Sequence, residues 1–228
     1  MRVSVYNWLG QEFVEISAEG PARASATAQT EALFADFARV LDDHGLSLAD
    51  TVRSRIFGRD RGARDAASEV RATTLSGPAR AATSSYIAPA LFASDALTAM
   101  DLIALRPAPG LEKVIRENDP PRTPCRYLTA GPLVVLSGQT AVLPTLDDQV
   151  KTNILPRITE YLAEAGSGWD RVALCTCYMH ASESPDHMRA LFADMVPVMP
   201  RRFEIRFVEG YSAKGKLVEV EVTALRDA

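Results

Sequence analysis

The stretch Leu133-Val-Val-Leu-Ser-Gly-Gln-Thr140 opens, and Lys216-Leu-Val-Glu-Val-Glu-Val-Thr-Ala-Leu225 closes, a segment that the earlier part of the chain repeats in weaker form from Phe13 to Leu105. In the closing run apolar and polar positions alternate with period two, so Glu219 and Glu221 share one face of a strand. Side by side, Phe13-Val-Glu-Ile-Ser17 meets Leu133-Val-Val-Leu-Ser137, and the helical stretch Phe34 to Gly45 meets Leu155 to Gly166. Val52 to Phe57 meets Val172 to Tyr178, Arg80 after Pro78 meets Arg202 after Pro200, and Leu97 to Leu105 meets Leu217 to Leu225. Matched segments in the same order at a near-constant offset are a duplication.

Composition agrees with two small domains. The chain has 228 residues, which suits two units of about 100 residues each. A hydrophobic fraction of 47% and a charged fraction of 24% are those of an ordinary globule, and no apolar run is long enough for a membrane span. No export signal is read at the N-terminus, so a cytoplasmic location is expected. A net charge of -4 disfavours nucleic acid as a partner, because such binding rests on clustered Lys and Arg; Arg201, Arg202 and Arg206 form a local cluster only. Of the three cysteines, Cys175 and Cys177 face the same way on a strand and suit packing, with His180 the one nearby residue able to join them on a metal. No metal and no cofactor is expected.

Taken in order, Val3 to Tyr6 and Phe13 to Ser17 read as a hairpin around Leu9-Gly10-Gln11. Residues 22–29 lead into a helix with a stripe of Leu33, Phe34, Phe37, Val40 and Leu41, stopped by Gly45. A strand over 51–57 carries Arg53 and Arg55 on one face, where they line either a site or a solvated or interface surface, and a polar helix covers 59–73. Pro-rich punctuation bounds a linker over 109–124, in which Leu111 to Asn118 reads as one or two helical turns. The linker separates repeat one, residues 1–108, from repeat two, residues 125–228. In repeat two a long helix begins near Asp147, with Pro156 either in its first turn or at a kink, and a second helix spans 185–195. Each repeat reads β-β-α-β-α-β-β, an α+β layer with helices on one face of a mainly antiparallel sheet.

These residues resemble the Rid family, the YjgF-type proteins that hydrolyse reactive enamines and imines to carbonyl compounds and ammonia. Leu136-Ser-Gly-Gln139, Pro200-Arg201-Arg202 and Val218-Glu-Val-Glu221 stand in the family's order with its helices between them, and the resemblance covers nearly the whole chain twice. It implies a chorismate-mutase-like fold in each repeat, assembly as a homo-oligomer, most simply a trimer, and sites in clefts between subunits or repeats. By position Arg202 looks like the arginine that binds a substrate carboxylate, Glu219 like the carboxylate that orients or activates water, and Ser137 with Gly138 like strand-end contacts to substrate. The chemistry is sound on its own terms, since a guanidinium fork grips a small carboxylate and a nearby glutamate serves as base for water. A cross-strand ion pair is the structural alternative for Arg202 and Glu219.

The sequence also departs from the family. Glu204 stands where Cys or Thr is frequent and Arg189 where Asn is frequent, so both enter the candidate pocket with altered charge. Repeat one keeps Ser17 and Arg80 but has Ala18 for the glycine and Ala99 for the first glutamate, with Asp101 at the second position. It therefore reads as partly degenerate. A non-catalytic carboxylate-binding or scaffold protein is the alternative function, and a chorismatase-like hydrolase, acting on a cyclic enol-ether acid, a further one. In either repeat the sheet face without helices must be covered by other copies of the chain or by the other repeat. Light scattering at micromolar concentration is accordingly expected to give three times the 24.8 kDa chain mass; a monomer would leave only the second kind of cover.

Overall fold

The computed structural model describes residues 1–22 and 25–226, so part of the lead-in read over 22–29 lies outside the described residues. The chain forms two compact units, Met1–Leu111 and Glu112–Ala228.

In the first unit, strands β1 (Arg2–Trp8) and β2 (Gln11–Glu19) form the expected hairpin, and Leu9 and Gly10 at its tip take φ of 53° and 73°. Two positive φ values in a two-residue loop match the right-handed twist of the flanking strands. Helix α1 (Ala26–Asp43), strand β3 (Thr51–Gly58), helix α2 (Arg61–Thr74) and strands β4 (Ala82–Ile87) and β5 (Thr98–Leu105) complete it. The strand order is β1-β2-β5-β3-β4, antiparallel except for the β3/β4 pair. Leu33, Phe34, Phe37 and Leu41 of α1 pack on Val14 and Ile16 of β2, Ile56 of β3, and Met100 and Leu102 of β5. Both helices thus lie on one sheet face. Gly58 lets β3 run directly into α2, because a Cβ there would stand 2.4 Å from the backbone nitrogen of Arg64.

The second unit contains β6 (Lys113–Arg116), β7 (Tyr127–Ala130), β8 (Leu133–Leu136), β9 (Gln139–Thr140), α3 (Leu146–Gln149), α4 (Leu155–Glu164), β10 (Val172–His180), α5 (Pro185–Met195), β11 (Phe203–Val208) and β12 (Val218–Leu225). Its order is β6-β7-β8-β12-β10-β11, with β9 also paired to β12. Without β6 this is the order of the first unit, including a single parallel pair, β10/β11. The mixed α+β sheet is therefore built twice on one plan. Cys175, Cys177 and Met179 of β10 and Val218, Val220 and Val222 of β12 meet Ile154, Ile158, Leu162, Met188 and Phe192 on the helix-covered side. Among the described residues no helix is long and apolar enough to cross a membrane.

Two local readings are corrected. The helical turns expected over Leu111 to Asn118 are instead strand β6, paired antiparallel with β7 from Lys113↔Ala130 to Arg116↔Tyr127. Adjacent β-branched Val114 and Ile115 suit a strand, and pairing with β7 satisfies backbone groups that a single helical turn leaves open. The long helix does begin near Asp147, capped by the Thr145 hydroxyl, which accepts from Asp148 N at 3.1 Å. Before Pro156, however, Val150–Ile154 winds as a π turn in which Leu155 N–H donates to Val150 O. Pro156 has no N–H to give, and the wider turn absorbs the irregularity there.

A buried glutamine at the foot of the first helix recurs in both units. Gln29 Oε1 accepts from Leu97 N at 2.8 Å and Thr98 N at 3.2 Å; Gln149 Oε1 accepts from Leu217 N at 2.9 Å. Gln149 Nε2 also donates to Leu143 O at 2.8 Å and Gly215 O at 2.7 Å. Each glutamine ties a helix start to the entry of the last strand, which sets where Glu219 begins its alternation. Replacing Gln149 by Ala removes the partners of three part-buried backbone groups and is expected to cost about 1 to 3 kcal/mol in urea unfolding. Gln149→Glu should not rescue it, because a carboxylate cannot donate to the carbonyls of Leu143 and Gly215.

Candidate functional site

Which side chains stand beside Glu219 is decided by register. Across β12 and β10 Glu219 pairs with Tyr178, and across β10 and β11 Tyr178 pairs with Arg206. On the other side of β12 Glu219 pairs with Thr140 of β9. Paired residues point the same way, so Thr140, Glu219, Tyr178 and Arg206 form one row on the face opposite the helices. The next row is Glu221, Thr176 and Glu204. Glu219 is 6% exposed and Glu221 2%, and Tyr178 is likewise buried.

The Ser-Gly-Gln motif acts on this face through geometry. Val135 pairs with Thr223 and Gln139 with Val220, so the β8–β9 segment carries one more residue than β12 between the same two pairings. That is a β-bulge at Ser137 and Gly138, and it re-aims the strand so that Thr140, not Gln139, accompanies Glu219. Ser137 is fully buried; its N–H donates to Arg126 O at 3.1 Å, and Gln139 Nε2 donates to its carbonyl at 2.7 Å. The Ser137 hydroxyl lies 3.6 Å from Cys125 Sγ. In the first unit β2 and β5 pair without a shift from Phe13↔Leu105 to Glu19↔Ala99, so Ala18 replaces the glycine where no bulge is made.

The remaining expected site residues are dispersed. Arg202 precedes Phe203, the partner of Cys175, whereas Glu219 is level with Tyr178. At roughly 3.3 Å per residue this displaces Arg202 from Glu219 by about 13 Å along the sheet. The structure thus does not bring Arg202 and Glu219 together within this unit. Arg202 is exposed and bonded to Glu204 Oε1, while the other Glu204 oxygen meets Arg206 Nη2 at 3.1 Å. Arg189 lies on the helix side of the sheet, its guanidinium carbon 5.5 Å from the centroid of the Phe203 ring, across the sheet from Glu219.

In the first unit Ser17 pairs with Asp101, and Asp101 with Arg55, whose Nη1 stands 4.0 Å from Asp101 Oδ2. Arg53 and Arg55 are buried. Arg80 closes the turn Gly77–Ala79 and is half-buried. Register also separates it from Arg202: Thr83 opposite Ser54 occupies the place of Phe203 opposite Cys175, so Ala82, not Arg80, stands where Arg202 does. Ala99 opposite Phe57 takes the place of Glu219 opposite Tyr178, and Tyr86 that of Arg206.

Residues missed from sequence are therefore Tyr178, Thr140 and Arg206. The alternation of β10 and β12 was readable, but the pairing between strands and the bulge were not. Cys175 and Cys177 lie in the helix-side core, where burial pushes the Cys177 thiol well up. Among the described residues no group of three or more His, Cys, Asp or Glu is placed to hold a metal ion.

Comparison with known proteins agrees with the architecture. A crystal structure of chorismatase matches 97% of this chain and 77% of its own at a TM-score of 0.66 and 14% identity, a likeness of fold over nearly all of this chain. A YjgF-family protein from Mycobacterium tuberculosis matches 50% of this chain and 99% of its own, at 22% identity and TM-score 0.43. A Rid-family protein from Yersinia pestis does the same at 22% identity and TM-score 0.44. No family model matches the chain, and no curated protein matches its sequence.

Tyr211 fastens the Glu219 row. Its hydroxyl reaches Tyr178 O at 3.0 Å and Leu217 O at 3.1 Å, joining the end of β10 to the start of β12. Burial, and after it the charges of Glu219 and Glu183, hold the phenol far above its usual range, so it remains a donor at any working pH. Tyr211→Phe leaves two carbonyls without that donor and is expected to lower stability by about 1 to 3 kcal/mol in thermal unfolding.

Proposed function

We propose that the chain hydrolyses a small reactive imine or enamine bearing a carboxylate, yielding the 2-oxo acid and ammonia, with Glu219 as the base for water. The observation that carries this reading is Glu219 itself: a carboxylate buried on the helix-free face, beside the Ser137–Gly138 bulge and in one row with a tyrosine and an arginine. The likeness to the Rid family in the order of its motifs supports it.

The chemistry follows from a single proton shuttle. Glu219 takes a proton from water as the water oxygen adds to the C=N carbon, and returns it to the imine nitrogen, onto which the π electrons have moved. In the resulting carbinolamine Glu219 takes the hydroxyl proton and passes it to the nitrogen, the C–N bond breaks, ammonia leaves, and the carbonyl forms. An enamine enters the same route once its carbon is protonated. General acid–base work of this kind is worth about 10²- to 10⁴-fold in rate.

The first unit supports an unequal division of labour, since Ala99 has no proton to move. The likeness to chorismatase, one of fold at this identity, makes a cyclic enol-ether acid the second substrate class to assay.

The test uses 2-aminoacrylate or 2-iminobutanoate generated in situ, with ammonia release as the readout. Wild type should exceed the buffer rate, and Glu219→Gln should lose about 10²-fold or more in kcat while binding a carboxylate analogue nearly unchanged. No release above the buffer rate ends the deaminase reading for these substrates and leaves a binding protein.

A further inference from the structure

We propose that His180 is the acid that protonates an enamine at carbon, so that the site takes enamines as well as imines; this rests on Glu219 being the base for water. In an enamine, water adds to the carbon bearing nitrogen only after the neighbouring carbon has taken a proton. An acid must therefore stand within one small molecule's reach of the base.

Register supplies such a group. His180 ends β10 two residues beyond Tyr178 and so lies on the same helix-free face. Because Glu219 is paired with Tyr178, His180 is its diagonal neighbour on the next strand, with about 7 to 8 Å between the backbones, a span that longer side chains cross. Tyr211 gives a second sign of nearness: its phenol feels the charges of both Glu219 and Glu183, and Glu183 belongs to the turn that follows His180, its N–H donating to His180 O at 3.0 Å.

The ring is held so that one nitrogen is available. Nδ1 accepts from Ser182 N at 3.2 Å, which puts the proton of the neutral imidazole on Nε2. Ser182 Oγ lies 2.7 Å from the same Nδ1 and donates to Glu183 Oε1 at 3.0 Å, so the Nδ1–H of an imidazolium also finds an acceptor. Each protonation state has its partner at Nδ1, as a group that cycles between them requires. Nε2 has no hydrogen-bond partner among the described residues, and the side chain is half-buried.

The step balances with water and a solvent proton. Nε2 of the imidazolium gives its proton to the enamine carbon as the nitrogen lone pair closes the C=N bond, leaving neutral His180 and an iminium. The iminium takes up water at Glu219, its extra proton leaves with the nitrogen as ammonium, and His180 regains a proton from solvent. The first unit lacks this acid. Arg59 N donates to Leu97 O as His180 N does to Leu217 O, so Arg59 stands at the same place, and its guanidinium keeps its protons while it holds Ala96 O and covers the Phe92 ring.

The experiment follows the stereochemistry of that proton. The full chain is supplied in deuterium oxide with 2-aminobut-2-enoate generated in situ, and the 2-oxobutanoate formed is trapped by reduction, so that the carbon next to the carbonyl carries one deuterium. Wild type should give one enantiomer in excess, and so should His187→Gln, which removes a histidine from another element. His180→Gln, which keeps an N–H but cannot release it, should give a racemate, as should His180→Arg, the residue the first unit holds at that place; circular dichroism checks that each folds. An excess that survives in either His180 variant overturns the assignment, and so does a racemate from wild type that releases ammonia above the buffer rate. One enantiomer without such release sinks the hydrolysis reading and not this one, and a racemate without release sinks both.

Discussion

The antiparallel pairing of β12 with β10 is the constraint from which the second unit takes its form. Side chains alternate strictly along a strand, so once Glu219 is set opposite Tyr178 every other position on both strands has its face assigned. Val218, Val220 and Val222 go to the helices and close the core, while Glu219 and Glu221 go to the other face with Thr176 and Tyr178. A slip of one residue would drive two carboxylates into an apolar core and bring three valines out of it. Gln149 and Tyr211 both grip Leu217, the residue just before this pairing begins, and so hold the register at its origin.

Small irregularities then distinguish the two units. Their strand orders agree once edge strand β6 is set aside, yet the second unit has an extra residue in the bulge at Ser137 and Gly138 and a π turn over Val150–Ile154. The bulge changes which residue accompanies Glu219. The first unit, with Ala18 and an unshifted ladder, has no such turn of the strand and no glutamate for it to serve. Backbone geometry and side-chain identity thus differ between the two units at the same place, while the core plan is kept.

Much of this was legible in residue order. The alternation in 216–225, the helical stripes of Leu33 to Leu41 and Val150 to Leu162, and the matched segments of the halves are periodic signals, and they yield the doubled α+β plan directly. Strand β6 was hidden because four residues between prolines carry too little pattern, and the π turn because a proline predicts irregularity without its form. Arg202 drew attention as the arginine after a proline, a local motif. Arg206 becomes visible only when the parallel ladder of β10 and β11 is known, since that pairing joins residues far apart in the chain. Glu204, read as a change in pocket charge, turns out to bridge both arginines, a role that requires its two oxygens to be seen at once.

The central claim is that Glu219, on the helix-free face of the second sheet, is the base that activates water against the substrate. It is tested most directly by a crystal structure of the protein soaked with a non-hydrolysable analogue of a 2-imino acid. The account places the carbon that stands for C=N within reach of a water held by Glu219. An analogue bound with Glu219 remote from that carbon would contradict it.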